Sequence, residues 1–160
     1  MGLLSALQIN LGESIFWLHR WSDRGGPILF YDVFETFLGW MGALASHQGL
    51  KRLYLSESTA KTLKYLGTEE NKATHLPAQF GQVRFYVKAY LQGDFKGLNR
   101  IPLDLENGPP FYQKAWKACQ RIPPGETRSY AWLAEAAGSP GAFRAAGQAM
   151  AKNPLWLLIP

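Results

Sequence analysis

The pattern of apolar and polar positions divides the chain into two stretches with a Pro/Gly-rich segment between them. In the first stretch, Ile28–Phe34, Gly39–Ala45 and Leu50–Leu55 are short runs rich in Phe, Tyr, Leu and Val. Thr36 and Gly39 mark one turn between them and Ser46–Gly49 the other, and Leu50–Leu55 alternates imperfectly between apolar and basic residues. This spacing predicts an antiparallel meander. Ser56–Leu66 predicts a helix that Ser56 or Ser58 caps and Gly67 ends. Leu76–Leu91 carries a second helical period through Phe80, Val83, Val87 and Leu91, ending at Gly93. His47 and His75 fall in predicted loops, without a second ligand at metal spacing, and are read as solvated.

Gly97–Pro110 contains Pro102, Gly108, Pro109 and Pro110, a density that cannot continue a helix and reads as a linker. Beyond it, Phe111, Ala115, Trp116, Cys119 and Ile122 form an apolar stripe at helical spacing, stopped by Pro123-Pro124-Gly125. A reactive thiol needs an electropositive, partly exposed setting, and no His is near Cys119 in sequence, so its place on the stripe reads as packing. Ser129–Ala137 predicts a helix opened by Thr127 or Ser129 and closed by Gly138. Ser139-Pro140-Gly141 then turns the chain into a helix over Ala142–Lys152. Helix, short glycine-containing turn, helix is the outline of a helix-turn-helix, although any helical hairpin shares it.

The last helix is more informative than its outline. Phe143, Ala146 and Met150 give it a face to bury. The opposite face, at 144, 147, 148 and 151, reads Arg-Gly-Gln-Ala, where an ordinary solvated face would carry several Lys and Glu. So thin a face lets the backbone approach something closely. Another helix could pack there through Ala and Gly, or the helix could enter a DNA minor groove, which is only about 6 Å wide. Arg144 in the middle of that face favours the groove.

Composition narrows the classes. With 160 residues, 47% hydrophobic and 18% charged, the chain suits one ordinary domain or two very small ones and is not a disordered tail. No run approaches the roughly 18 consecutive apolar residues of a membrane span. Met1–Asn10 lacks the basic start of a secretory signal, and the single cysteine excludes an internal disulfide or a cysteine-rich zinc site. The expectation is a cytoplasmic protein without membrane partner or metal. Residues 111–160 hold six Lys/Arg against Glu126 and Glu135, a net of +4 out of the overall +5, which suggests a polyanion partner for that third.

Here the chain resembles the alkylguanine-DNA alkyltransferases, the methylated-DNA–protein-cysteine methyltransferases. The motifs are Phe111-Tyr-Gln-Lys-Ala-Trp116, Ile122-Pro-Pro-Gly-Glu-Thr-Arg-Ser-Tyr130, Leu133-Ala134, Gly138-Ser-Pro140, Ala142-Phe-Arg-Ala-Ala-Gly147, and Asn153-Pro154 followed by Ile159-Pro160. Upstream, Tyr31-Asp-Val-Phe-Glu-Thr36, Leu38-Gly39, Gly49-Leu50 and Ile101-Pro-Leu-Asp-Leu105 continue it, so that it covers roughly Leu29 to Pro160. The resemblance implies an α+β fold. A small N-terminal antiparallel β-sheet and helix domain, RNase H-like, spans 27–96. A linker spans 97–110, and a helix-turn-helix, winged-helix-like domain spans 111–160, incomplete at its C-terminus. Residues 1–26 stand outside as an extension.

By the same resemblance the protein is a monomer that repairs double-stranded DNA containing alkylated guanine. It binds from the minor groove, flips the damaged base and transfers the alkyl group to a cysteine in one irreversible turnover without cofactor. Arg144 falls where the family's finger fills the gap left by the flipped base, and Tyr130 where a 3′ phosphate is turned. Ala142, Ala145, Gly147 and Gln148 fall on the groove-facing helix, and Ala131 and Ser139 join the DNA-binding set. Asn153 braces the turn before the active site, with Pro154 and Pro160 as further support. Flipping a base costs a few kcal/mol of unstacking, so a side chain must replace the lost contacts. Arg128 and Lys152 are expected on phosphates, giving affinity without sequence choice.

The departure lies at the end. In the family, Ile-Pro at 159–160 is followed by Cys-His-Arg, whose cysteine accepts the alkyl group, so no catalytic residue is present and the 160 residues alone are expected to be inactive. Cys119 matches a core leucine and cannot substitute, and Trp156 stands where a proline or small residue commonly lines the pocket. Three readings of the end stay open: a fragment or frameshift, an early stop, or a UGA codon at the next position that encodes selenocysteine. A Cys codon obscured by a sequencing error fits as well. Two other functions stay open beside repair, a damage sensor that flips without transfer and a helix-turn-helix regulator. The alanines of the last helix speak against the regulator, since major-groove readout needs several base-edge donors.

Overall fold

The computed structural model describes residues 28–68, 72–106 and 108–160; the predicted extension Met1–Gly26 lies outside them. The expected meander is present as β1 (Phe30–Thr36), β2 (Gly39–Ala45) and β3 (Leu50–Ser56), paired antiparallel in sequence order. A fourth strand, β4 (Thr74–His75), runs parallel to β1 on its free side, giving the order β3-β2-β1-β4. His75 therefore belongs to a strand rather than a loop: its ring stacks on Tyr31, and its Nε2 lies 3.6 Å from the buried Asp32 carboxylate.

Alternation along the strands sends the sheet's two faces to different partners. One face presents Phe34, Met41, Ala43 and Leu53 to Phe80, Val83 and Val87. These last belong to a 3₁₀ turn (Pro77–Phe80) and the helix that continues it, α2 (Gly81–Leu91). Pro77 stands at the start of that turn, where its missing N–H costs nothing. The opposite face receives α1 (Thr59–Leu66), with Ser58 capping its start and Gly67 ending it in the left-handed conformation, as the sequence predicts. Gly42 on β2 permits the contact, since a Cβ there would lie 2.2 Å from the Thr62 methyl and 2.8 Å from Leu66.

The remaining helices are α3 (Pro110–Cys119), α4 (Tyr130–Ala136) and α5 (Phe143–Ala151). Their buried residues, among them Trp116, Leu133 and Ala146, and Leu155 and Ile159 of the loop after α5, join Phe80, Leu50 and Leu53 in one continuous apolar cluster. The Pro/Gly segment is laid along the outer edge of β3. Leu50 N–H donates to Pro102 (2.8 Å), and Asp104 N–H donates to Leu50 (2.9 Å). Lys51 Nζ and Ser46 Oγ both donate to the Asp104 carboxylate, the lysine at 2.8 Å. Burial alone would push the Asp104 carboxyl up, but its hydrogen bonds from Lys51, Ser46 and the backbone of Glu106 outweigh that and leave it below the ordinary carboxylate range. Further along the same edge, Leu53 N–H donates to the Pro154 carbonyl at 3.0 Å. The edge of the sheet is thus covered by linker and C-terminal loop.

Candidate nucleic-acid interface

The interface is built on three short helices. The α3 helix opens on a proline and turns its apolar side inward through Ala115, Trp116, Ala118 and Cys119. The α4 helix starts where Ser129 Oγ accepts from Trp132 N–H (3.2 Å) and ends before Gly138, whose φ of +77° suits glycine. Ser139 N–H returns to Ala134 (2.9 Å) and Ala142 N–H to Ser139 (3.1 Å), so Ser139 shapes the turn that aims α5. Buried Ala146 and Ala149 let α5 settle closely on its neighbours, and the Trp116 indole N–H donates to the Ala149 carbonyl at 2.8 Å within the core. That bond satisfies a carbonyl in the last turn of α5, where intrahelical partners run out. Nothing in the spacing of the sequence foretold it.

The outward face of α5 is the thin one read from the sequence. Arg144, Gln148 and Ala151 are exposed, and Ala145 and Gly147 are half-buried. Arg144 has no hydrogen-bond or ion-pair partner among the described residues. Tyr130 is 55% exposed and lies over Gly147, where a Cβ would meet the edge of its ring at 3.6 Å. Tyr130, Gly147 and Arg144 therefore share one surface. Ala131 is exposed on the first turn of α4, and Ala142 is half-buried at the start of α5. Gln148 is tied back toward α3 through a long contact with Tyr112 Oη (3.5 Å). Arg128 is held by Glu126 and by the Thr127 carbonyl and sits 5.8 Å over the Trp132 ring, whereas Lys152 is exposed beyond the end of α5.

One expectation fails here. Phe143, assigned to the buried face with Ala146 and Met150, is 51% exposed. It lies at the margin of the apolar stripe and is not among the residues packed against the core.

The supporting loop is firmly braced. Asn153 Oδ1 accepts from Leu155 N–H (2.9 Å) while Nδ2 donates to Ile159 O (2.6 Å), so one side chain spans the loop at both ends. Leu155, Leu157, Leu158 and Ile159 are buried beneath it, and Trp156 turns outward into a cleft of about 650 Å³ shared with Arg52, Tyr54 and Tyr65. The Cys119 thiol is buried and donates to the Pro160 carbonyl at 2.7 Å. Burial pushes this thiol above its ordinary range, the reverse of what activates a nucleophile. Among the described residues, no helix is long and apolar enough to cross a membrane.

Comparison with known proteins agrees with this geometry. Residues 110–160 match the family described as 6-O-methylguanine DNA methyltransferase, DNA binding domain. The constitutive methylated-DNA–protein-cysteine methyltransferase of Bacillus subtilis is 35% identical over 131 residues, 82% of this chain and 77% of that protein. The O6-methylguanine methyltransferase structure of Mycobacterium tuberculosis superposes with a TM-score of 0.66 at 31% identity, over 83% of this chain and 76% of that one. A second structure, M. tuberculosis OGT in complex with DNA, gives 0.62 at 33% identity, over 82% and 74%.

Proposed function

The chain belongs to the methylated-DNA–protein-cysteine methyltransferase family, and from that premise we propose that it takes part in direct reversal of guanine alkylation, holding duplex DNA through the face formed by α4 and α5. The face of α5 carries this reading: an unpartnered guanidinium in the midst of Gly and Ala, with Tyr130 beside it. Small residues let the helix backbone lie in the minor groove. Arg144 is long enough to occupy the space an extruded base leaves, and Tyr130 presents its hydroxyl at the rim for a phosphate. Arg128 and Lys152 add sequence-independent attraction to the backbone, which suits a protein that must act at any sequence. Such a protein works where the DNA is, and we place it in the cytoplasm.

In the reaction, an acceptor thiolate or selenolate attacks the alkyl carbon. The carbon–oxygen bond to guanine breaks, the new bond to sulfur or selenium forms, and the guanine anion takes up a proton. The acceptor belongs at the position following Pro160. The loop from Asn153 to Pro160, clamped by the Asn153 side chain and underlaid by buried leucines, holds that position steady, and Cys119 lies beneath it as a packed, protonated thiol.

The DNA half of the proposal is tested by anisotropy titration of labelled duplexes with the 160-residue protein. An abasic site removes the cost of unstacking, a few kcal/mol, so it should bind at least about tenfold more tightly than a fully paired duplex. Arg144→Ala should erase most of that preference while leaving salt-dependent binding in place. Equal binding of both duplexes by the wild type refutes the flipping role. For the transfer half, protein carried past Pro160 should gain the mass of one alkyl group, mapped to the residue after Pro160. Mapping to Cys119 refutes the assignment.

A further inference from the structure

Phe143 is the only large apolar side chain that α5 turns outward. It stands in the first turn, directly before Arg144, and is 51% exposed. It takes no part in the apolar cluster that buries Ala146 and Ala149 and that Met150 packs against. Residues 143, 147 and 151 lie on one row of the helix at i, i+4 and i+8, so Phe143 continues the row of Gly147 and Ala151 toward the helix start. Helical side chains lean toward the N-terminus, which carries the ring past the small residues rather than over them. The face therefore has a projecting aromatic ring and a projecting, unpartnered cation side by side, on the module that holds +4 of the chain's charge. A solved relative with 33% identity is in complex with DNA.

Proteins that enter the minor groove insert apolar wedges between base steps and partly unstack them. Resting on the DNA-binding reading above, we propose that Phe143 is such a wedge: it enters the base step beside the nucleotide displaced by Arg144 and makes binding depend on how readily that step unstacks. Pyrimidine–purine steps such as TA and CA are flexible, whereas A-tracts are stiff. The chain thereby prefers damage flanked by a flexible step, through a residue that forms no hydrogen bond with any base.

The test is an anisotropy titration of the 160-residue protein on two sets of abasic duplexes, one with TA or CA steps beside the gap and one with A-tracts. Wild type should favour the flexible flanks by about fivefold. Phe143→Ala should bring that ratio close to one and weaken binding to the flexible set by about tenfold, with melting temperature unchanged because the ring is not packed. Phe143→Leu keeps an apolar wedge and should restore most of the preference, which a general surface effect would not do. A flank ratio that Phe143→Ala leaves intact, or its absence in wild type, overturns the wedge. If Arg144→Ala still abolishes abasic preference in that case, the DNA-binding reading survives without it; if neither substitution matters, both fail.

Discussion

Gly147 is a direct test of why the outward face of α5 is thin. It occupies a helix interior, where glycine is about 0.5–1 kcal/mol worse than alanine. Nothing in the fold demands it. Its φ is not left-handed, and an added Cβ would find the Tyr130 ring at 3.6 Å and again at 3.6 Å, an ordinary van der Waals contact rather than a clash. Gly42 is the contrast, because a Cβ there would collide with Thr62. Gly147→Ala should therefore stabilise the free protein by about 0.5–1 kcal/mol, raising the melting temperature by roughly 1–4 °C for a chain of this size. Gly147→Leu should fold as well, since leucine is also a good helix former, but its side chain thickens the face that approaches the groove. Duplex Kd should rise at least about tenfold, about 1.4 kcal/mol. Thermal denaturation by circular dichroism gives the first quantity and anisotropy titration the second. A lower melting temperature for Gly147→Ala would show that the glycine serves the fold after all. An unchanged Kd for Gly147→Leu would show that this face does not meet DNA.

Two further outcomes concern stability and reactivity. The Asp104 carboxyl is held below its ordinary value, so its contribution is present at neutral pH, is retained down to the unfolded carboxylate pKa of about 4, and is lost as pH falls through the folded value. Asp104→Ala strands Lys51 at the edge of β3 and should cost about 3 kcal/mol at pH 7; a difference between variant and wild type that fails to shrink in acid contradicts the assignment. The Cys119 thiol, raised by burial, should react with an aromatic disulfide reagent only as fast as the protein opens, and quickly in denaturant. Because its folded pKa lies above the unfolded one, the protein loses stability as pH rises past the unfolded thiol value, and Cys119→Ala should remove that alkaline component. Rapid labelling of the native thiol would refute this.

What could be read in the sequence follows from the range of the interactions involved. The three-stranded meander shows because its period of two and its turn residues are local, and α1 shows because Ser58 and Gly67 are its own caps. The strand at Thr74–His75 has only two residues, too few to carry a period, and exists because β1 offers it an edge. The face of α5 was legible at Arg144, Gly147 and Gln148, since composition alone distinguishes a thin face from a solvated one. Phe143 was misread because helical spacing places a residue at an angle without saying whether anything waits there to cover it. The brace from Trp116 to Ala149 and the joint between Leu53 and Pro154 link distant parts of the chain, and local patterns do not record such pairs.

The joint along β3 also has a consequence for the order in which the protein is made. A growing chain that has released residues 28–68 contains every residue of the meander and of α1, whose contacts are short in sequence. Leu53, however, finds its backbone partner only when Pro154 emerges, long after its own synthesis. During that interval the outer edge of β3 stands open, first until Pro102 and Asp104 arrive and then until the final loop does. An unpaired edge of this kind is where nascent chains pair wrongly with one another. The linker, by reaching Leu50 first, shortens the exposed edge while the remainder is still being synthesised.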